Sequence, residues 1–139
     1  MVKRILILAV ITVIFISAAS TSEAFHGCRV AMGFAPSPRL VSPSSDKVQL
    51  TGKSDMEFVW SPHEGDRLQR RYYDFRLYKG YDMLEATLIF KERVSAGKHQ
   101  LAVKTDLFKN GEVYTWSLRQ VYRDSSKSRR SIQSFRVLK

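Results

Sequence analysis

The side chains that most often carry out chemistry are few in this chain of 139 residues. It has three histidines and one cysteine, namely His26, His63, His99 and Cys28. His26 and Cys28 supply two metal ligands at most, and two ligands do not make a zinc site. Glu64 and Asp66 could pair as carboxylates, but Asp and Gly are also the residues that an exposed turn requires. Because no Gly-x-Ser-x-Gly, phosphate-loop or His-Glu-x-x-His motif occurs, we predict no enzymatic activity, no cofactor and no metal.

The chemistry that the sequence favours is the binding of anions. Lys and Arg number 23 against 13 Asp and Glu, which gives a formal net charge of +10 at pH 7. Arginine suits this role because its planar guanidinium binds carboxylate and phosphate groups through two parallel hydrogen bonds. The predicted ligand-binding residues are Arg67, Arg70, Arg71, Arg76, Arg119, Lys127, Arg129 and Arg130. The alternative is a basic surface that is only solvated and keeps the protein from aggregating.

The elements that must position these cations are predicted to be β-strands. Apolar residues alternate with polar ones, and turn signals such as Lys109-Asn110-Gly111 separate the alternating segments. The residues predicted to face inward are Met56, Phe58, Trp60, Tyr73, Phe75, Leu77, Tyr114, Trp116, Leu118, Phe135 and Val137. The pattern predicts about seven short strands, the first of them split at a polar break, in a two-sheet antiparallel sandwich.

The N-terminal residues have the layout of a secretory signal peptide. Met1–Arg4 carries two positive charges, Ile5–Ala19 carries no charge, and a series of small residues follows. We therefore predict a helical signal peptide over residues 1–24 that is removed before Phe25, with Ala18-Ala19-Ser20 as a second candidate site. The protein would then be exported to the periplasm or the extracellular space.

Two other fates of the N-terminus stay open at this stage. The apolar segment could be retained as a membrane anchor, or Cys28 could be lipid-modified after processing. Residues 25–38 include Pro36 and Pro38, which bias the chain to extended conformations. We predict an extended tail over residues 25–38 and a single domain over residues 39–139.

Several stretches of the chain resemble a known family. They are Leu40-Val41-Ser42-Pro43, Phe58-Val59-Trp60-Ser61-Pro62, Tyr73-Asp74-Phe75-Arg76-Leu77, the segment from Leu107 to Trp116, and Ser134-Phe135-Arg136-Val137. Together they are similar to the fibronectin type III-like domains of bacterial secreted proteins, over about residues 39–139. The resemblance implies an all-β fold, a seven-stranded antiparallel immunoglobulin-like sandwich. It also implies a tyrosine corner, in which the Tyr114 hydroxyl bonds back to nearby backbone.

The resemblance further implies where the cations meet. In such a sandwich, the connection between the second and third strands and the connection between the last two strands lie at the same end. Six cations from these connections would converge there, and we call them the basic pole: Arg67, Arg70, Arg71, Lys127, Arg129 and Arg130. Arg76 and Arg119 would lie on the outer face of the third, sixth and seventh strands.

The family implies a class of function rather than a specific activity. Its domains mostly serve as spacers, adaptors or binding modules, so we expect a non-catalytic binding or structural module at the bacterial cell envelope. The anionic partner would be a lipid, an envelope polysaccharide or an acidic protein, since the compartment argues against nucleic acid. Two alternatives are a subunit of an envelope or secretion assembly that pairs through a strand edge, and an accessory domain of a carbohydrate-active system.

Overall fold

The computed structural model describes residues 36–63 and 69–139, and these residues form strands joined by turns. The strands are β1 (Arg39–Ser42), β2 (Lys47–Gln49), β3 (Asp55–Ser61), β4 (Arg70–Lys79), β5 (Leu88–Ser95), β6 (Gln100–Lys104), β7 (Val113–Tyr122) and β8 (Ser131–Leu138). Single 3₁₀ turns, Glu85–Thr87 and Thr105–Leu107, precede β5 and follow β6. The predicted all-β class is confirmed for this part of the chain.

Several predictions concern residues outside this description. The signal peptide, its cleavage site, Cys28 and most of the tail fall within residues 1–35, and Arg67 falls within residues 64–68. Within the two described ranges, no helix has the length and apolar character needed to cross a membrane.

The strands form two sheets, in the orders β1-β3-β6 and β2-β8-β7-β4-β5. The split first strand gives eight strands where seven were predicted, because its two halves join different sheets. β1 pairs with β3 in antiparallel orientation, and β2 pairs with β8 in parallel orientation. The chain changes sheets after Ser42, where Pro43 has no backbone N–H to continue the pairing. The expectation of a wholly antiparallel sandwich is therefore wrong at the β2–β8 pair.

The core lies between the two sheets and is rich in aromatic rings. All the residues predicted to face inward are buried, including Phe58, Trp60, Tyr73, Phe75 and Trp116. The Phe58 ring packs edge-on against Phe75 and Trp116, with ring centroids 5.0 Å apart in both pairs. The period-two alternation of the sequence is thus what assigns each strand its inner and outer faces.

The corner that leads into β7 has the predicted geometry. The Tyr114 hydroxyl accepts a hydrogen bond from the Lys109 backbone N–H at 2.8 Å. The Tyr114 ring packs edge-on against Phe108, with centroids 5.0 Å apart. Gly111 takes a positive φ of 77°, a conformation that residues with a side chain rarely adopt, and this turns the chain back toward β7. The corner fixes the start of the strand that lies at the centre of the larger sheet.

Replacing Tyr114 with Phe tests this corner. The substitution keeps the ring but leaves the half-buried Lys109 N–H without its acceptor, which we expect to lower the free energy of unfolding by about 1–2 kcal/mol. Urea denaturation followed by tryptophan fluorescence measures the change. An unchanged free energy of unfolding would show that the hydrogen bond is not stabilising.

The sandwich begins earlier in the chain than the predicted boundary at residue 39. The Pro36 carbonyl accepts a hydrogen bond from the Gln120 side chain at 3.0 Å. The Pro38 ring is buried, and the Pro38 carbonyl accepts a hydrogen bond from the Ser131 hydroxyl. Residues 36–38 are therefore part of the domain, because the polar groups of Gln120 and Ser131 need these carbonyls as partners.

Candidate anion-binding surface

The outer face of the larger sheet concentrates positive charge. Tyr73 and Phe75 of β4 face the core, so the alternating residues Asp74 and Arg76 face outward. The strand register places the outward-facing residues of β5 and β7 beside them. Seven cations share this outer face, and we call them the basic face: Lys47, Arg76, Lys91, Arg93, Arg119, Arg130 and Arg136. Among the outward-facing residues of the five strands of the larger sheet, Asp74 is the one carboxylate.

Asp74 is shared by three arginines. Its Oδ2 accepts a hydrogen bond from Arg130 Nη2 at 2.5 Å and one from Arg119 Nε at 3.1 Å. Its Oδ1 lies 3.4 Å from Arg76 Nε. Arg130 Nη1 also donates to the Ser117 hydroxyl at 3.2 Å. The Asp74 side chain is 11% exposed, and the cluster holds more positive than negative charge at its centre.

The electrostatics of this cluster are unbalanced. Burial alone raises the pKa of the Asp74 carboxyl, but the charges of Arg130, Arg76 and Arg119 outweigh it, so the pKa lies below 3.8. Burial lowers the pKa of Arg130, and although Asp74 opposes this effect, repulsion from Arg119 and Arg76 adds to it. Asp74 is thus held as a carboxylate, while Arg130 is only partly compensated. A further anion near the cluster would relieve the repulsion between the guanidiniums.

Two arginines beside Asp74 keep guanidinium nitrogens that have no acceptor among the described residues. Arg119 uses Nε for Asp74, and no other described residue accepts a bond from its terminal nitrogens. Arg93 lies directly across from Asp74 on β5, and its guanidinium stacks over the Tyr72 ring at 5.1 Å. Arg93 forms no ion pair with a carboxylate of the described residues. These two guanidiniums can therefore bind an anion from solvent.

The described cations of the basic pole other than Arg130 lie at the start of β4 and in the connection between β7 and β8. The Arg123 N–H donates to the Gln69 carbonyl at 3.0 Å, which joins the start of β4 to the end of β7. Arg70 begins β4, Arg71 is exposed beside it, and Lys127 and Arg129 are exposed in the connection to β8. Whether these cations bind a ligand stays a prediction.

The other three predicted arginines have a counter-charge that the sequence analysis did not identify. Arg130, counted in the basic pole, turns onto the sheet and binds Asp74, as do Arg76 and Arg119. Sequence reasoning missed Asp74 because it was one polar residue in an alternating strand. The signal was a single acidic residue at an outward position whose predicted neighbouring strands carry arginines.

The two described histidines lie at one end of the smaller sheet. β3 and β6 are antiparallel, so His63 after β3 and His99 before β6 lie at the same end. The His99 ring packs edge-on toward Tyr73, with centroids 6.1 Å apart. Within residues 36–63 and 69–139, no group of three or more His, Cys, Asp or Glu side chains is placed to hold a metal ion.

Comparison with known proteins places the fold. No protein-family model matches the sequence, and no curated protein matches it either. An α-L-rhamnosidase from Dictyoglumus thermophilum has a similar structure, with a TM-score of 0.57 and 14% identity over 76% of this chain. This chain spans only 13% of the length of that enzyme. At this level of identity the likeness concerns the fold alone. The chain is a two-sheet β-sandwich.

Two smaller proteins are also among the similar structures. The third fibronectin III domain of human KIAA0343 protein gives a TM-score of 0.48 and 15% identity, over 76% of this chain and 86% of that one. A superoxide reductase from Ignicoccus hospitalis gives a TM-score of 0.45 and 11% identity, over 80% of this chain and 87% of that one. Neither likeness bears on the activity of this sandwich.

Proposed function

We propose that this chain is an exported, non-catalytic binding module at the bacterial cell envelope, of the fibronectin type III-like class, that binds an anionic polysaccharide. The observation that carries the proposal is the basic face, where seven cations and a single carboxylate share one side of a sheet. We therefore propose the outer face of the larger sheet as the binding surface, in place of the basic pole. Export rests on the charged, apolar and small-residue layout of residues 1–24.

The dimensions of a sheet favour a polymer as the partner. Neighbouring strands lie about 4.8 Å apart, and outward residues of one strand repeat about every 6.8 Å, so the cations form a grid. A chain of repeated anionic groups can contact several points of such a grid at once, which multiplies weak contacts. A lipid bilayer fits less well, because membrane-binding surfaces combine cations with apolar side chains. Among the strand residues of this face, Ile132 is the large exposed apolar side chain.

Three sets of charge-neutralising variants test the location of the site. The face variant changes Lys47, Lys91, Arg93 and Arg136 to Gln, which leaves the arginines that bind Asp74 intact. The pole variant changes Arg71, Lys127 and Arg129 of the basic pole to Gln, together with Arg123, whose N–H bonds Gln69 at the start of β4. The control variant changes Lys53, Lys98, Lys104 and Lys109 to Gln. All three lose the same charge from exposed positions. We expect the face variant to lose about tenfold in affinity for polygalacturonate and the other two less than about threefold.

The outcomes of this experiment separate the alternatives. Binding should weaken as salt rises, since the Debye length falls from about 10 Å at 0.1 M to about 3 Å at 1 M. Equal losses in all three variants would reduce the binding to general charge attraction. The largest loss in the pole variant would return the site to the basic pole. If the parent bound phosphatidylglycerol vesicles but neither polygalacturonate nor dextran sulfate, the polysaccharide would be the wrong partner.

A further inference from the structure

The arginines of the basic face differ in how firmly they are held. An arginine on a strand surface has many rotamers, and ordering it on binding costs side-chain entropy. Arg119 has already lost much of this freedom, because its Nε bond to Asp74 fixes the plane of the guanidinium. Arg93 is likewise fixed by stacking on Tyr72. Two ordered guanidiniums therefore flank Asp74, one on each neighbouring strand.

The contact that Arg119 makes leaves its best anion-binding edge open. A guanidinium binds an oxyanion in two parallel hydrogen bonds, either through Nε and one terminal nitrogen or through both terminal nitrogens. Asp74 occupies the Nε of Arg119, whose side chain is 25% exposed, and no described residue accepts a hydrogen bond from Nη1 or Nη2. Arg76 also contacts Asp74 through Nε, but at the longer distance of 3.4 Å. Arg130 is more fully engaged, because it donates to the Ser117 hydroxyl and the Asp74 carbonyl as well.

We propose that Arg119 is the ligand-binding residue of an oxyanion site on the basic face, and that Asp74 is its positioning residue. The inference rests on the proposed function and names the chemistry at its centre. The ligand group is a carboxylate or a sulfate of the bound polymer, held by the terminal nitrogens of Arg119 with Arg93 beside them. Asp74 does not contact the ligand. It acts by holding Arg119 in the orientation that binds.

This arrangement and net charge alone predict opposite changes in anion affinity when the charge of Asp74 is removed. Removing the negative charge of Asp74 makes the face more positive, and Coulomb attraction alone would then strengthen anion binding. If Asp74 orders Arg119, removing it loses the preorganisation, and binding weakens instead. The sign of the change in affinity therefore distinguishes the two mechanisms.

The experiment compares Asp74→Asn with Glu92→Gln as a matched control. Both remove one negative charge, and Glu92 is exposed on the neighbouring strand β5, where its side chain faces the opposite side. Affinities for polygalacturonate and dextran sulfate are measured by titration calorimetry at fixed salt, on protein shown to be folded by circular dichroism. We expect Asp74→Asn to bind about fivefold more weakly, Asp74→Glu to recover part of the loss, and Glu92→Gln to bind at least as tightly as the parent.

A second pair of variants keeps the positive charge of an arginine but removes the guanidinium that makes two parallel hydrogen bonds. Arg119→Lys should lose about tenfold in affinity, because an ammonium cannot make the two parallel bonds, whereas Arg123→Lys, an exposed arginine off the face, should change little. A folded Asp74→Asn protein that binds as tightly as the parent, or Arg119→Lys that does so, overturns the inference. If Asp74→Asn does not fold, Arg119→Lys decides. Carboxylate and sulfate are distinguished by which polymer shows the loss, and a parent that binds neither polymer refutes the proposed function instead.

Discussion

Replacing Trp116 with Ala should destabilise the protein by about 3–5 kcal/mol, the largest effect of any single change that we expect. Trp116 is fully buried at the centre of β7, where it packs against Phe58 and Phe75 with ring centroids 5.0 and 5.8 Å away. The substitution removes apolar contact area and leaves a cavity that the rigid sheets on both sides cannot close. For a domain of this size the loss is comparable with the whole free energy of unfolding.

Equilibrium urea denaturation followed by far-ultraviolet circular dichroism measures this change. The matched control is Ile132→Ala on the neighbouring strand β8, because Ile132 is 49% exposed and faces outward. We expect the control to stay within about 0.5–1 kcal/mol of the parent. A loss below about 1.5 kcal/mol for Trp116→Ala would contradict the placement of this residue in the centre of the core.

The core was predictable from the sequence for a physical reason. Successive side chains of a strand point to opposite faces, so a strand that has one face buried must alternate, as Tyr114, Trp116 and Leu118 do. The tyrosine corner was predictable because its residues are close together in the chain. Both are local signals, and neither depends on which strands become neighbours.

The candidate site was less predictable because it depends on which strands are neighbours. Asp74, Arg119 and Arg130 are up to 56 positions apart in sequence, and only the β4–β7–β8 order brings them together. The placement of β1 and β2 in different sheets was missed for the same reason. It depends on the parallel pairing of β2 with β8, which joins the two ends of the domain. Counting cations located the charge, but the sheet register decided which cation has a counter-charge.

Replacing Asp74 with Asn should lower the free energy of unfolding by about 2–3 kcal/mol at pH 7, somewhat less than for a fully buried ion pair because its arginines keep some solvent contact. The variant leaves three guanidiniums close together without a carboxylate between them. Adding Arg130→Leu to Asp74→Asn should recover part of the loss, because it removes the most buried of the three charges. Failure of the second change to recover any stability would show that repulsion is not the cause.

The pH dependence of stability provides the independent test of Asp74. Its pKa is lower in the folded protein than in the unfolded chain, so its contribution is complete above the unfolded value near 3.8 and is lost as pH falls through the folded value. Asp55 and Asp124 also have lowered pKa values. The pH dependence of the stability of Asp74→Asn is therefore compared with that of the parent and with that of Asp124→Asn. Between pH 5 and pH 2.5, urea melts should show a shallower loss of stability for Asp74→Asn than for the parent, while Asp124→Asn follows the parent closely because its carboxylate lies on an exposed turn. Parallel curves for the parent and Asp74→Asn would mean that the arginine cluster does not hold this carboxylate ionised.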